Sequence, residues 1–309
     1  MAIFLGIDGG GSKTVCLIGD EKSVLGTSTA AASNVVRVGE AQARASLASA
    51  IGQACTVAGL TPSQIAGVCV GLAGAARPEI SELVKRIISD LLSGDIKPAQ
   101  IKVVGDTVIT LEAAFGGRPG VIVIAGTGSI AYGRNREGQT ARAGGWGFAI
   151  SDEGSGHWIG RSAVAAAVRA WDEHPGQNAP LIEILTKSWQ VETVEQLVPA
   201  ANATPPPDFA ALFPAVLSLA ESGDPGARDV LTQAGHHLAR LAGIVLNRLF
   251  PNGGGVPVAM SGGVFGSSAL VRQVFYNGLH SEHHDAVLNP NVIEPVRGAL
   301  ELARKGVAK

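Results

Sequence analysis

The glycine-rich stretch at residues 8–14 combines the residue types that can bind a phosphate group. It reads Asp8-Gly9-Gly10-Gly11-Ser12-Lys13-Thr14 and follows the apolar segment 3–8, which is typical of a buried strand. Glycines let backbone N–H groups converge on an anion, and the hydroxyls of Ser12 and Thr14 could add to them. Lys13 is a further candidate phosphate ligand, and Asp8 could hold Mg²⁺ through water. An ordinary glycine hairpin is the alternative.

Two later glycine turns also follow apolar strands. Gly126-Thr127-Gly128-Ser129 comes after VIVIA, and Ser261-Gly262-Gly263-Val264-Phe265-Gly266 comes after VPVAM. With Ala131, the first of these fits the dinucleotide pattern G-x-G-x-x-[GA], but that pattern needs a following helix and the sequence here predicts a hairpin. We expect instead that this turn faces the one at 8–14 and that the two clamp a polyphosphate. Backbone exposed by Gly262 and Gly263 could pack against a purine, with a plain strand-to-helix turn as the alternative.

An aspartate ends the predicted strand IKVVGD. A general base must reach the proton that it removes, and Asp106, at a strand end facing a cleft, is well placed for that role. Its alternative role is to cap the predicted helix at 107–115.

Hydrophobic periodicity predicts the elements that position these residues. Predicted strands cover 3–8, 14–20, 23–30, 66–74, 101–106, 120–126 and 256–263, with a hairpin formed by SIAYGRN and QTARAGG around REG. Predicted helices cover 40–58, 78–93, 107–115, 154–171, 181–199, 208–250 with breaks at prolines and glycine, 268–280, and a last one from about 293. Both halves open with strand, glycine turn and two strands, so we predict an internal duplication with a hinge near Gly116–Gly120.

Composition excludes several classes of protein. The chain has 309 residues, 24 Lys+Arg and 26 Asp+Glu, so its formal net charge of −2 argues against a nucleic-acid or acidic-membrane binder. Cys16, Cys55 and Cys69 form no CxxC pair, which excludes a disulfide framework and a four-cysteine site within one chain. Isolated thiols, short apolar runs and a start without a basic segment predict a cytoplasmic protein with no membrane partner.

The three glycine turns, in this order and each after a strand, resemble the ATP-binding motifs of the sugar-kinase/Hsp70/actin superfamily. Within it the chain is similar to the BadF/BadG/BcrA/BcrD ATPase family, most closely to its N-acetylglucosamine kinase branch. DGGGSKT resembles the first phosphate motif, IAGTGSIA the second and MSGGVFGS the adenosine motif. GGWGFAISDEGSGHWIGR at 144–161 resembles the stretch after the second hairpin in N-acetylglucosamine kinases. The resemblance covers nearly the whole chain.

The resemblance implies an α/β fold of two ribonuclease H-like domains, each on a mixed five-stranded sheet, with a cleft between them. We expect residues 1–117 to form the first domain, with the C-terminal helix at 293–309 packing back on it. Residues 118–292 would form the second, ATP-binding domain.

The resemblance also implies an ATP- and Mg²⁺-dependent kinase that phosphorylates the 6-hydroxyl of N-acetylglucosamine or a close relative. Asp106 would be the base that takes the hydroxyl proton. The residues expected to bind ATP are Gly9, Gly10, Gly11, Ser12, Lys13, Thr14, Gly126, Thr127, Gly128, Gly262, Gly263 and Gly266, with Asp8 as the Mg²⁺ residue. Those expected to bind the sugar are Asn34, Ala73, Gly74, Asp106, Ser129, Gly145, Trp146 and Asp152. For Asp152 the alternative is a helix cap, and for Trp146 a place in the core.

Two other functions compete with the kinase. Some members of the same family use ATP hydrolysis to drive electrons from a [4Fe–4S] cluster into a dehydratase or reductase, but the cysteines here lie in predicted strands and a helix. A non-catalytic ATP-binding sensor is the third hypothesis. The sequence leaves the sugar open among N-acetylglucosamine, glucosamine, N-acetylmuramic acid and N-acetylmannosamine, and we expect a homodimer.

Overall fold

A computed structural model describes residues 2–75, 77–92, 96–174 and 179–307. The chain divides into two compact units, one made of Met1–Arg118 with Ile293–Lys309 and the other of Pro119–Val292. Residue 93 of the predicted helix 78–93 and residues 308–309 of the predicted C-terminal segment lie outside the described residues.

Ten strands form two mixed five-stranded sheets, one in each unit. The strands are β1 (Ile3–Gly9), β2 (Lys13–Gly19), β3 (Val24–Ala31), β4 (Ile65–Leu72), β5 (Ile101–Gly105), β6 (Gly120–Ala125), β7 (Ser129–Arg134), β8 (Thr140–Gly144), β9 (Pro257–Ser261) and β10 (Val287–Ile293). The first sheet has the order β3-β2-β1-β4-β5 and the second the order β10-β9-β6-β7-β8. Numbered from each unit's first strand, both orders are 3-2-1-4-5, as an internal duplication requires.

Eleven helices cover the sheets within the described part of the chain. They are α1 (Val35–Ala58), α2 (Pro78–Leu91), α3 (Asp106–Phe115), α4 (Gly156–Glu173), α5 (Pro180–Trp189), α6 (Val194–Ala201), α7 (Phe213–Glu221), α8 (Pro225–Leu249), α9 (Gly263–Ser267), α10 (Ala269–Glu282) and α11 (Pro295–Val307). None of the helices in the described ranges has both the length and the apolar content that a bilayer span requires.

Each sheet is mixed because a hairpin meander is followed by a crossover. β1 pairs antiparallel with β2 and parallel with β4, and β5 then pairs parallel with β4. In the second sheet, β6 pairs antiparallel with β7 and parallel with β9. A hairpin turn and the carboxyl ends of the parallel strands therefore meet at one edge of each sheet, which places the predicted site residues there.

The last helix, α11, packs in the first unit against α3, β1 and β4. Its buried face consists of Val296, Ala299, Leu300, Leu302 and Ala303. Two glycines allow the close approach, since a Cβ on Gly6 would overlap the backbone of Leu300 and one on Gly298 would overlap the carbonyl of Ile109. The N-terminal strand and the C-terminal helix thus share one core.

Two parts of the second unit differ from the sequence prediction. The predicted helix 181–199 is two helices, because the chain takes a left-handed conformation at Gln190 (φ 56°) where α5 ends. Strand β10 was not predicted, since its sequence VLNPNVI contains a proline and two asparagines that disfavour strands. It lies at the edge of the sheet, where a proline is tolerated.

The packing of α11 predicts opposite effects for two glycine substitutions on that helix. Gly298→Ala should lower the free energy of unfolding by about 1–3 kcal/mol, because the added methyl overlaps the backbone of α3. Gly306→Ala is the control, since no atom lies within 4 Å of its added methyl, and it should be neutral or stabilising. Urea unfolding of the two variants and the wild type measures the difference. Equal stability of Gly298→Ala and the wild type would show that α11 does not pack on α3 as described.

Candidate active site

The carboxyl ends of β1, β4 and β5 bring the two predicted acids of the first unit to one edge of its sheet. Asp8 pairs with Gly71 of β4, and Gly71 pairs with Val104 of β5, two residues before Asp106. The two aspartates therefore flank β4 from strands on either side of it. Both side chains are half-buried, and the charge of Asp106 acts on the carboxylate of Asp8.

Burial changes the acidity of both groups. It raises the pKa of Asp8 to about 7, helped by the charge of Asp106 and opposed by that of Lys13. Burial also raises the pKa of Asp106, although the N–H groups of Thr107 and of Asp106 itself counter it. A carboxylate with a raised pKa is a stronger base than an exposed one, and two acids that repel each other favour a bound cation or proton.

The backbone around Asp106 is fixed by packing and by hydrogen bonds. Gly105 holds the N-cap position of α3, and Asp106 is its first helical residue. The Asp106 carboxylate accepts a hydrogen bond from the Thr107 N–H at 2.9 Å, and the Thr110 hydroxyl donates to the Asp106 carbonyl at 2.7 Å. A Cβ on Gly71 would overlap the Ile109 side chain, so the glycine lets α3 lie close to β4.

The first glycine turn closes with a hydrogen bond from the Gly10 N–H to the Lys13 carbonyl at 2.9 Å, and Ser12 and Lys13 are exposed. Thr14 is fully buried. Its hydroxyl donates to the Ala31 carbonyl at 2.7 Å and lies 2.7 Å from the Ser33 hydroxyl. In this structure the hydroxyl has protein partners, and its binding to phosphate stays a prediction.

The predicted sugar loops of the first unit are neighbours of this turn. The Asn34 N–H donates to the Gly10 carbonyl at 3.3 Å, and the Asn34 Oδ1 caps α1 by accepting from the Val36 N–H at 3.1 Å. A Cβ on Gly74 (φ 83°) would lie 3.6 Å from Val36, and Ala73 is half-buried beside it. Because the Oδ1 is used as the cap, Asn34 would meet a ligand through Nδ2.

The second glycine turn is supported by the beginning of a helix. The Gly126 N–H donates to the Gly128 carbonyl at 2.9 Å, which closes the turn. The first N–H groups of α4, from Gly156 and His157, donate to the carbonyls of Gly126 and Thr127 at 2.8 and 3.2 Å. The positive end of an 18-residue helix thus abuts the turn, and this potential favours an anion there.

Asp152 lies against the second glycine turn in a left-handed conformation (φ 68°). Its Oδ1 accepts from the Ser129 N–H at 3.4 Å, and a Cβ on Gly128 would lie 2.9 Å from its Oδ2. The residue that caps α4 is Ser155, which accepts from the Trp158 N–H at 3.1 Å. The alternative that Asp152 caps this helix is therefore wrong. Burial raises the pKa of Asp152.

Ser129 is buried, and its hydroxyl donates to the Glu153 carbonyl at 2.8 Å. This hydrogen bond anchors the loop that carries Asp152, and sugar binding by Ser129 stays a prediction.

Trp146 is 66% exposed, so the alternative that it belongs to the core is wrong. The Arg142 guanidinium lies 3.9 Å from the centre of the indole ring, and the intervening chain turns at Gly145 (φ 69°). This cation–π contact holds a large flat side chain at the surface. Sequence reasoning missed Arg142, and the only signal was its place four residues before the tryptophan.

The glycines of the motifs divide into two kinds. A Cβ on Gly9 would overlap the Leu72 side chain, and one on Gly262 (φ 100°) would overlap the Ala125 backbone, so these two serve packing. No atom lies within 4 Å of a Cβ placed on Gly126, Gly263 or Gly266. These three glycines leave open space in which a ligand could approach the backbone.

Comparison with known proteins identifies the family of this chain. Residues 5–303 match the sequence profile of the BadF/BadG/BcrA/BcrD ATPase family. The chain belongs to this family.

Two curated relatives align with nearly the whole of this chain. An N-acetylmuramic acid/N-acetylglucosamine kinase of Clostridium acetobutylicum is 31% identical, over 98% of this chain and 99% of that one. An N-acetyl-D-glucosamine kinase of Dictyostelium discoideum is 28% identical, over 97% of each chain. Among solved structures, a proposed N-acetylglucosamine kinase from Chromobacterium violaceum superimposes with a TM-score of 0.73 at 28% identity, covering 98% of this chain and 99% of that one.

The described part of this family member has no preformed metal site made of protein side chains alone. No group of three or more His, Cys, Asp or Glu side chains there could enclose a metal ion. Mg²⁺ is commonly held by one or two carboxylates together with substrate phosphates. The charge of Asp106 raises the pKa of Asp8, and a cation beside these carboxylates would relieve that repulsion.

The open space at Gly126 predicts a selective loss of nucleotide binding. Gly126→Ala should leave the melting temperature unchanged and weaken ATP binding about tenfold or more, because its methyl would occupy the phosphate space. Gly128→Ala is the contrasting variant, because its added methyl would lie 2.9 Å from the Asp152 carboxylate and not in open space. Calorimetric titration with a non-hydrolysable ATP analogue, beside thermal melting, separates the two effects. Wild-type ATP affinity in Gly126→Ala would remove this turn from the nucleotide site.

The raised pKa of Asp8 predicts how stability depends on pH. An aspartate in an unfolded chain loses its proton near pH 3.8, whereas folded Asp8 keeps it to about pH 7. In that window the folded state binds a proton that the unfolded state has lost. The free energy of unfolding that Asp8 contributes therefore falls as the pH rises through the window.

In buffer without divalent cations, Asp8→Asn should gain stability relative to the wild type as the pH rises from about 5 to about 8, because asparagine carries no charge. Each 1 kcal/mol should shift the melting temperature by about 2–4 °C. Mg²⁺ added at the higher pH should stabilise the wild type more than the variant. Parallel melting curves with a constant offset across this range would contradict the raised pKa.

Proposed function

We propose that the protein is an ATP-dependent amino-sugar kinase that transfers the γ-phosphate of ATP to the 6-hydroxyl of N-acetylglucosamine or a close relative. The observation that carries the proposal is the half-buried Asp106, a base of raised pKa on the same sheet edge as the glycine turn and Asn34. The full-length relative from C. acetobutylicum, named as a kinase of such sugars, supports it.

In this mechanism Asp106 accepts the proton of the sugar 6-hydroxyl as that oxygen bonds to the γ-phosphorus. The bond from the γ-phosphorus to the bridging oxygen breaks, and ADP leaves with the electron pair. The Thr107 N–H, at 2.9 Å from the Asp106 carboxylate, orients the base. The raised pKa increases its affinity for the proton at the moment of transfer.

Each glycine turn is proposed to offer backbone N–H groups to a phosphate. Support comes from the open space at Gly126 and from the N-terminus of α4 behind that turn. Lys13 is an exposed cation of the first turn and can neutralise phosphate charge. Gly263 and Gly266 leave room for the adenosine.

Mg²⁺ is proposed to be held by Asp8 through water and by the ATP phosphates. When bound, it would neutralise the charge that develops on the phosphates. The second acid, Asp106, then remains for proton transfer.

Each unit offers a candidate side chain for sugar binding. The Asn34 Nδ2 and the Asp152 carboxylate are a donor and an acceptor for sugar hydroxyls. Trp146, exposed and stacked on Arg142, offers an apolar face to the sugar ring.

The cysteines argue against an iron–sulfur activator. Cys16, Cys55 and Cys69 are all buried in the first unit. Burial raises the pKa of each thiol, that of Cys69 to about 12, and the thiolate is the form that ligates iron. A sensor without catalysis would have no need of a base such as Asp106. A homodimer and a cytoplasmic location remain predictions.

The proposal is tested by measuring ADP release with ATP, Mg²⁺ and each of four sugars. These are N-acetylglucosamine, glucosamine, N-acetylmuramic acid and N-acetylmannosamine. We expect sugar-dependent ADP release with at least one of them and a 6-phosphate product by NMR. Release that does not depend on any sugar, or product phosphorylated elsewhere, would overturn the proposal.

Asp106→Asn should lower kcat about 10²–10⁴-fold while the KM for ATP stays within a few-fold, because the amide keeps the shape but cannot take the proton. Asp90→Asn is the matched control, since Asp90 lies on α2 in a surface ion pair with Arg44. Steady-state kinetics and melting temperatures of both variants are compared with the wild type. A fully active, normally folded Asp106→Asn enzyme would leave the reaction without its base.

A further inference from the structure

Thr14 and Ser129 occupy the same place in the two halves of the duplicated fold. Each is opposite the last residue of the strand before its glycine turn, Thr14 against Gly9 and Ser129 against Ala125. Each is almost completely buried, at 0% and 3% exposure. Each hydroxyl has a hydrogen-bond partner within the protein, so its function can be sought in the segment that it holds.

In the first unit, this hydroxyl holds the loop that leads to Asn34. The Thr14 hydroxyl lies 2.7 Å from the Ala31 carbonyl and 2.7 Å from the Ser33 hydroxyl, and its one proton can be donated to either oxygen. Ser33 is itself fully buried. The next residue, Asn34, bonds back to Gly10 of the turn. Two buried hydroxyls therefore fix the proposed sugar residue to the phosphate turn.

In the second unit, the equivalent hydroxyl holds the loop that carries Asp152. Ser129 donates through its hydroxyl to the Glu153 carbonyl at 2.8 Å and through its N–H to the Asp152 carboxylate at 3.4 Å. Asp152 is in a left-handed conformation that costs a non-glycine residue free energy. The two hydrogen bonds from Ser129, to the Asp152 side chain and to the Glu153 carbonyl, help to offset that cost.

We propose that Thr14, with its partner Ser33, and Ser129 are paired positioning residues that set the two sugar-binding loops against the two phosphate turns. This inference rests on the proposed kinase function. The proposal assigns neither hydroxyl a contact with substrate. Each fixes the place of a side chain that does, Asn34 in one unit and Asp152 in the other, so that the sugar loop and the phosphate turn of a unit move as one body.

The proposal predicts a loss that falls on the sugar and spares the nucleotide. Removing one buried hydrogen bond removes about 1 kcal/mol, so the sugar KM should rise about five- to tenfold in Thr14→Val, Ser33→Ala and Ser129→Ala. The KM for ATP should change less than about twofold, because the turn backbones keep their own closing bonds. Thr14→Ser keeps the hydroxyl and should restore the wild-type sugar KM.

Ser28→Ala is the matched control. Ser28 is also buried in the first unit, and its hydroxyl donates to the Ala50 carbonyl at 2.6 Å, between β3 and α1. It should lose stability as Thr14→Val does, with an unchanged sugar KM. Thr14→Val combined with Ser33→Ala should be no worse than Thr14→Val alone, because Thr14→Val already removes the contact between the two hydroxyls. Thr14→Val combined with Ser129→Ala should be multiplicative, because the sites are independent.

Steady-state kinetics with both substrates and melting curves of all variants distinguish a positioning role from a purely structural one. A lower melting temperature with an unchanged sugar KM in Thr14→Val and Ser129→Ala would reduce both residues to a structural role and overturn the proposal. An equal rise in the two KM values would overturn it as well. A wild-type protein with no sugar-dependent ADP release would instead refute the kinase function, so the two failures are distinguishable.

Discussion

The pairing of each unit's first strand is the constraint on which the rest of the structure depends. β1 and β6 each have an antiparallel partner on one side and a parallel partner on the other. The hairpin turn and the carboxyl end of the parallel neighbour must then meet at one edge, whatever the side chains are. Glycines at that edge expose backbone N–H groups, and residues that follow the parallel strands reach the same place. The strand order therefore determines where the candidate site lies, and the side chains determine its chemistry.

The two acids of the first unit, Asp8 and Asp106, lower the stability of the folded chain locally. A half-buried Asp8 with a pKa of about 7, beside a second acid, destabilises the folded chain near neutral pH. No packing argument calls for either carboxylate, since the core around them is built from apolar strands. Buried, mutually repelling acids are typical of functional sites, where a cation or a transferred proton relieves the repulsion.

Sequence patterns predicted the parts of the fold that depend on local chemistry. Apolar runs ending in glycines marked β1, β6 and β9, and the acid at 106 followed from its place after β5. The partners of Thr14 and Ser129 could not be predicted, because hydroxyl side chains in a glycine motif suit a phosphate and a neighbouring loop equally well. Strand β10 and the break at Gln190 were missed because tertiary context overrides the local propensity of VLNPNVI and of a long helical pattern.

The duplication gives two halves the same frame but different electrostatics. At the edge of the first sheet, the frame carries two acids and Lys13. At the edge of the second, it carries the positive end of α4, whose first N–H groups point at the turn carbonyls. The first edge carries Asp106, whose pKa is raised, beside Asp8, and the second carries the N-terminus of α4 beside the open space at Gly126. One strand order thus carries different chemical groups in the two units: paired acids at the first sheet edge, and a helix N-terminus beside open glycines at the second.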